Sequence, residues 1–293
     1  MRIQEWHSTT DCFYNIGMTK AQYQVVILFK HGLYEPYIEL AQQGQDRSFL
    51  QGPRDPQIKV IHFYGVPGGR VIQSIDQKHE FLRSKNRITN LIQQALDWTI
   101  SLPFMFWVPR VEKSNKLKLS DDEFQCKVID TLQTLRWKQL AIYRYVIANF
   151  NFDYIYETNA SSYVDFVNLM SQVKEFNSSP LYAGNMPTNK FVSGANRFYD
   201  RNALQIMLRN RFWWSPSILE DVAIGKLMKR FAVPFVATNS ISISSVEELE
   251  KISDEVLLHN YHFRVKSYLM GRRSDAQIMH ALKLRFSKIR KRA

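Results

Sequence analysis

NFDYIYETN (residues 151–159) runs directly into ASSYVDFVNLMSQV (residues 160–173). The first piece has an apolar centre at Tyr154–Tyr156 and stops at Asn159, which reads as a strand. The second opens with serines, whose side-chain oxygens satisfy free N–H groups at a helix start. It then places Tyr163, Phe166, Val167 and Met170 at helical spacing. A strand, a short polar turn and a serine-capped helix make the repeating unit of an α/β fold.

Upstream, AQYQVVILFKHG (21–32) carries an apolar run over residues 25–29 and reads as a buried strand. YEPYIELAQQG (34–44) is a short helical stretch. QIKVIHFYGVPGG (57–69) holds a second strand over 58–64, closed by Gly65, Pro67, Gly68 and Gly69. An amphipathic pattern over 77–100, with Phe81, Ile88, Leu91, Ile92 and Leu96 in phase, predicts a helix. LPFMFWVP (102–109) is a strand candidate, EKSNKLKLSDDEF (112–124) a polar loop, and 121–150 a second long helix.

Downstream, residues 189–210 predict a strand and turn leading into a helix. SPSILEDVAIGKLMKRF (215–231) predicts a capped helix with Pro216 near its first turn. EVLLHNYHFRVKS (255–267) contains a last strand. A terminal cationic helix (274–293) aligns Ile278, Leu282, Phe286 and Ile289 on one face. Alternating strands and helices imply an α/β fold around a mostly parallel sheet. Ligands of such sheets bind beyond the carboxyl ends of the strands. That directs attention to residues 30–32, Gly65, 158–162 and 193–194.

Composition narrows the function classes. The 293 residues are 45% hydrophobic and 23% charged, which suits a folded core rather than a disordered chain. Cys12 and Cys126 make neither a disulfide framework nor a metal-ligand spacing. Without an apolar leader or a stretch long enough to span a bilayer, the expected location is cytoplasmic. The net charge of +12 suits an anionic partner: nucleic acid, an acidic membrane or a phosphorylated ligand. Walker A, G-x-G-x-x-G, H-E-x-x-H and G-x-S-x-G motifs are all missing.

Three ordered segments between residues 153 and 231 carry a family resemblance: Tyr156-Glu157-Thr158-Asn159-Ala160-Ser161-Ser162, then Val192-Ser193-Gly194-Ala195-Asn196-Arg197-Phe198-Tyr199-Asp200-Arg201, then Glu220-Asp221-Val222-Ala223-Ile224-Gly225. Together they resemble the fringe and beta-1,3-galactosyltransferase family. That family has a strand ending in an Asp-x-Asp group, a Ser/Gly-rich strand before a helix, and Glu-Asp-Val-x-x-Gly. The resemblance implies a GT-A, Rossmann-like domain over residues 1–271, with residues 272–293 as an appended cationic amphipathic helix. It implies an inverting transferase that takes a sugar from a nucleotide sugar, with UDP expected. The acceptor is then the hydroxyl of an oligosaccharide, glycolipid or glycoprotein.

At the family's metal-binding acidic group this chain has Asn159, Ala160 and Ser161. Neutral oxygens suit Mg²⁺ or Mn²⁺ poorly. Weak or absent metal dependence is expected, with no required cofactor; Glu157, two residues upstream, is the reservation. Asp221 occupies the family's base position, and the positive end of a helix would keep it ionised. Neighbouring Glu220 acts against that by like charge.

Donor contacts are expected from Lys30, His31, Thr158, Asn159, Ser161, Ser193 and Gly194, and from the alternating cationic row His262, Arg264 and Lys266. Trp213 and Trp214 are acceptor-platform candidates, with core packing as their competing role. The terminal helix is read either as packed on the core or as a peripheral membrane contact. An inactive nucleotide-sugar-binding relative and a basic nucleic-acid-binding protein stay open as alternatives. The missing zinc-finger and RNP motifs weigh against nucleic acid as partner.

Overall fold

The computed structural model describes residues 21–51, 54–68, 95, 98–99, 107–131, 134–188, 190–215, 218–266, 268–269, 272–273 and 275–292. The strands that matter are β1 (Gln22–Lys30), β2 (Ile58–Val66), β3 (Val111–Ser114), β4 (Asp122–Ile129), β5 (Asn151–Asn159), β6 (Ser162–Val164), β7 (Tyr182–Gly184), β8 (Asn196–Asp200), β9 (Phe235–Ala237), β10 (Ile241–Ile243) and β11 (His262–Val265). Eight of them form one sheet in the order β3-β4-β2-β1-β5-β8-β7-β9. β4, β2, β1 and β5 run parallel, as do β7 and β9. β3 and β8 are antiparallel to their neighbours. The expected α/β architecture with a mostly parallel central sheet is therefore present.

β1 lies at the centre because its sequence can be covered on both faces. Val25 through Phe29 are wholly buried, as a strand between two helical layers requires. Val26 and Leu28 belong to the core on the side of helices α1 (Leu135–Asn149), α3 (Arg201–Arg209) and α4 (Glu220–Arg230), together with Trp137, Tyr143, Leu204 and Ile224. Val25, Ile27 and Phe29 face helix α2 (Phe166–Lys174) through Leu169, Met170 and Val173. Each such side chain contributes roughly 1.5–3 kcal/mol by leaving water.

A smaller sheet, β10-β11-β6, packs against the terminal helix α5 (Asp275–Arg292). Ile278, Leu282, Phe286 and Ile289 of α5 are all buried there. Arg285 pairs with Asp254 and Arg290 with Asp165. The apolar stripe of this helix is spent on the protein core and is not open to a bilayer. Among the described residues no helix is long and apolar enough to cross a membrane.

Several sequence expectations need correction. Residues 121–150 are not one helix: Asp122–Ile129 is β4, and the helix begins at Leu135. Phe124, Cys126 and Val128 alternate into the core while Glu123 and Gln125 are buried on the opposite face. A strand covered on both sides hides its period of two. The polar 112–124 stretch includes β3, an edge strand whose alternation is too short to read. No serine caps α2; residues 162–164 continue as β6, and the Asp165 side chain accepts from Asn168 N. α4 begins at Glu220 after Leu219, without a side-chain cap. In the 189–210 stretch the turn precedes the strand, and Asp200 caps α3. The short helical stretch is one turn, Tyr37–Glu39, continued by a π-helical turn at Leu40–Asp46. β11 is followed by a two-strand ribbon, in which Tyr268–Leu269 pairs with Arg272–Arg273. Residues 95, 98 and 99 of the predicted 77–100 helix are described and helical; the rest of it, most of the 102–109 strand, Pro216 and Cys12 lie outside the described residues.

Candidate active site

Strand register assembles the site. Lys30, the last residue of β1, pairs with Asn159, the last of β5. β8 runs antiparallel beside β5, so the loop entering it, Ser193-Gly194-Ala195, reaches the same carboxyl edge. β11 pairs with β6 so that Arg264 stands opposite Ser162. Lys30, Asn159, Ser193, Gly194, Glu220, Asp221 and Arg264 thus border one cleft of about 260 Å³. A second lobe of about 290 Å³ shares Lys30, Leu135, Asn159 and Arg264, and adds Tyr34, Tyr37, Lys138, Ser161 and Lys266.

Two glycines bring α4 to this edge. A Cβ on Gly225 would lie 2.6 Å from the Lys190 carbonyl and 2.7 Å from Phe191 Cβ, so only glycine lets the helix press onto the 190–191 segment. A Cβ on Gly194 would lie 2.5 Å from Asp221 Oδ1. The Glu-Asp-Val-x-x-Gly pattern therefore has a packing cause: its glycine seats the helix, and its acids then face the loop before β8.

The electrostatic centre is Arg197, which no sequence motif marks as a site residue. It is wholly buried and sits directly across from Glu157 in the β5–β8 ladder. Its Nη2 donates to Glu157 Oε1 at 2.9 Å and also to Glu220 Oε1, while Nη1 lies 3.4 Å from Asp221 Oδ1. Glu157 also takes Lys30 Nζ at 3.0 Å, Gln139 Nε2 at 2.7 Å and the Tyr143 hydroxyl. Burial alone would raise the Glu157 carboxyl; Arg197 and Lys30 outweigh it and hold the group below its ordinary value. The sequence holds half of this signal. An acid and a base on two apolar strands each need a partner once buried, but which strand lies beside which is not written in either segment.

Glu220 and Asp221 divide one task between them. Burial lifts the Glu220 carboxyl above its usual range, against the pull of Arg197 and Lys30. Burial would lift Asp221 too, but a hydrogen bond with Glu220 and the charges of Arg197 and Lys30 hold it below the usual range. The two carboxyls are thus pushed apart, with Glu220 the weaker acid and Asp221 the stronger. The Asp221 side chain is 31% exposed against 10% for Glu220, so the stronger acid faces the cleft.

The remaining expected site residues separate into those that reach the cleft and those that support it. Asn159, Ser193, Gly194 and Arg264 line it; Ser161 and Lys266 line the second lobe. Thr158 is wholly buried and donates to the Ala195 carbonyl at 2.7 Å, fixing the loop. His31 borders the second lobe but is buried, with its Nε2 2.8 Å from His62 Nδ1. Burial, then His62 and Lys138, keep it well below its ordinary pKa. His262 bonds Ser240 Oγ at 2.6 Å and Ser162 Oγ at 3.0 Å; burial, then Arg264, lowers it to about 3. It is neutral, so the expected cationic row reduces to Arg264 and Lys266. Trp214 is wholly buried in the cleft wall, and its indole N–H meets no acceptor among the described residues. Trp213 is 56% exposed, carries Arg230 over its ring at 3.5 Å, and is not among the residues lining either lobe.

A divalent cation at the position of the family's acidic group would meet Asn159 Oδ1, which already accepts from Ser161 N at 3.0 Å and Ser162 Oγ at 3.1 Å. Glu157 is buried behind it and committed to Arg197 and Lys30. Among the described residues, no three His, Cys, Asp or Glu side chains are grouped to hold a metal. This donor set does not fit a hard divalent cation.

No protein-family model matches the chain, and no curated protein matches it. Solved structures give distant likenesses. One is the apo-form glycosyltransferase GlyE of Streptococcus pneumoniae TIGR4, at 10% identity and TM-score 0.41 over 90% of this chain and 60% of that one. Another is a glycosyltransferase involved in glycosylation of the major capsid of PBCV-1, at 11% identity and TM-score 0.38 over 89% and 99%. A third is mouse xyloside xylosyltransferase 1 in its apo form, at 6% identity and TM-score 0.37 over 83% and 97%. The chain spans about three fifths of the length of the first of these. Likenesses at this level fix neither family nor chemistry.

Proposed function

We propose that this chain is a glycosyltransferase that moves a sugar from a nucleotide diphosphate donor, UDP by resemblance, to an acceptor hydroxyl with inversion and without a divalent metal. The observation that supports this reading is the meeting of Glu220–Asp221, at the start of α4, with Lys30, Asn159 and Arg264 in one cleft at the carboxyl edge of the sheet. Transfer needs a base for the acceptor hydroxyl and positive charge for the departing diphosphate. The acceptor oxygen bonds to the anomeric carbon as the bond from that carbon to the phosphate oxygen breaks. Its electron pair leaves with the diphosphate, and the hydroxyl proton passes to Asp221.

Asp221 is held ionised, so it is ready as acceptor of that proton at neutral pH. Its basicity is correspondingly low, which suits a proton that leaves late, after the leaving group has begun to depart. Lys30, Arg264 and Lys266 supply cationic contacts for the diphosphate. Asn159, Ser161, Ser193 and Gly194 supply neutral polar ones. Behind them Thr158 fixes the loop through the Ala195 carbonyl, while His31 bonds His62 and His262 bonds Ser162 and Ser240. Glu220, tied to Arg197, orients Asp221 beside it.

The test is a thermal-shift panel of nucleotides and nucleotide sugars followed by transfer assays. A UDP-sugar should stabilise the protein. Asp221→Asn should cut turnover by about 10²–10⁴-fold while keeping that stabilisation. Wild-type turnover in Asp221→Asn would remove the base assignment, and a complete Mn²⁺-reversible loss in EDTA would remove the metal-free reading.

A further inference from the structure

The stretch between α3 and α4 carries an exposed apolar surface that the chemistry of the cleft does not use. Phe212 is 46% exposed, Trp213 56% and Leu219 63%. Core formation should have hidden such side chains, and a run of them on one short segment marks a contact surface. The described residues on its two sides stand at the two ends of α4. At one end Arg230, the last residue of α4, covers Trp213 at 3.5 Å. At the other, Ile218 and Leu219 line the cleft beside Glu220. α4 is about 16 Å long, so exposed apolar side chains stand both at its far end and at the lip of the site.

Charge on this surface has one sign. Between residues 201 and 240 the only acids are Glu220 and Asp221, and both face inward to the cleft. Lys226 lies one helical turn before Arg230 on the same face of α4 and is exposed, as are Arg209 and Lys229. Arg211 covers the Phe212 ring at 4.8 Å. Exposed aromatic rings interleaved with arginine and lysine match the interface of an anionic bilayer. The rings settle at headgroup depth while the cations meet lipid phosphates.

We propose that Phe212, Trp213, Leu219, Lys226 and Arg230 form a contact surface for anionic lipid membranes, and that the acceptor is a glycolipid presented from that surface into the cleft. The second half rests on the transferase reading; the first does not. It also differs from a membrane role for the terminal helix, whose apolar stripe is buried.

The test is co-sedimentation of the full chain with vesicles of phosphatidylcholine alone and of phosphatidylcholine mixed with phosphatidylglycerol. Binding should require the anionic lipid and weaken as salt rises. Phe212→Ser with Trp213→Ser should weaken it about tenfold or more, and Arg230→Gln roughly fivefold. Both should leave the thermal midpoint near wild type, since the replaced side chains are exposed. A tail variant, Lys288→Gln with Lys291→Gln and Arg292→Gln, should weaken binding less than the aromatic pair does. Absence of anionic-vesicle binding would overturn the proposal, as would equal binding to neutral vesicles, or a loss confined to the tail variant. Binding of single-stranded RNA that the aromatic pair abolishes, with vesicles unbound, would assign the surface to nucleic acid and overturn it too. Vesicle binding needs no donor or turnover. Its failure therefore leaves the transferase reading intact, and failure of nucleotide binding leaves the vesicle result intact.

Discussion

Replacing Arg197 with methionine tests the electrostatic centre of the site. The guanidinium is wholly buried and is shared by Glu157, Glu220 and Asp221. Methionine keeps much of the volume and removes the charge. Among the described residues, Glu157 then keeps only Lys30 as a cationic partner, and Glu220 faces Asp221 without a mediator. Removing one side of a buried ion pair costs about 3–5 kcal/mol, against a total stability on the order of 5–15 kcal/mol. The variant should fold, with a midpoint lowered by roughly 6–20 °C at about 2–4 °C per kcal/mol for a chain of this size. Adding Glu157→Gln should restore part of the loss, because the charge stranded by the first change is then gone.

The same variant has a signature in pH. Arg197 helps hold Asp221 ionised, and a neighbouring arginine lowers a carboxylate by about 1–3 units. The acid limb of kcat/KM should therefore move upward by about 1–2 units, whereas a purely structural role would leave the limb in place. Thermal unfolding of wild type, Arg197→Met, Glu157→Gln and the double variant forms a complete cycle. A single-variant loss under about 1 kcal/mol, or a double variant no more stable than Arg197→Met, would refute the reasoning, since a buried unpaired charge cannot be that cheap.

Gly225→Ala should destabilise by about 1–3 kcal/mol by overpacking, despite alanine's better helix propensity, because the new methyl meets the Lys190 carbonyl; urea unfolding measures it, and a stabilised variant would show that α4 is not seated by that glycine. Trp214→Phe removes an indole N–H that no described residue accepts and leaves a small cavity at a wholly buried position, so stability should fall by about 1–3 kcal/mol, and donor or acceptor affinity falls as well if that N–H bonds the ligand; urea unfolding and isothermal titration read the two separately. Acid titration reads Glu157: its folded pKa lies below the ordinary 4.5, so its stabilisation is fully present above that value and is lost as pH falls through the folded pKa. Glu157→Gln should flatten the wild-type decline below about pH 4.5.

The sheet is legible where one chemical pattern serves one purpose. Val25–Phe29 and Tyr154–Tyr156 are apolar runs that only a covered strand can use, and both lie in the central strands. β4 reads as helix because its Glu123 and Gln125 are buried on their own face, so an alternating pattern looks like an irregular helical one. Asn159 and Asp221 can be named from their motifs and do share a cleft. Arg197 cannot be picked out, since its importance comes from the register between β5 and β8 rather than from its neighbours in sequence. His262 misleads for a related reason. Alternation puts it on the side of Arg264, but the serines that close around its ring come from residues 162 and 240.

The two lobes at the carboxyl edge have a common wall of Lys30, Leu135, Asn159 and Arg264. A partition built from shared side chains cannot be indifferent to its occupants, because a ligand that pulls Arg264 toward one chamber withdraws it from the other. In the proposed reading the two reactants then sit side by side and exchange the sugar in a ternary complex. Initial-rate plots against each reactant should give intersecting lines, and the first reactant bound should alter the grip on the second.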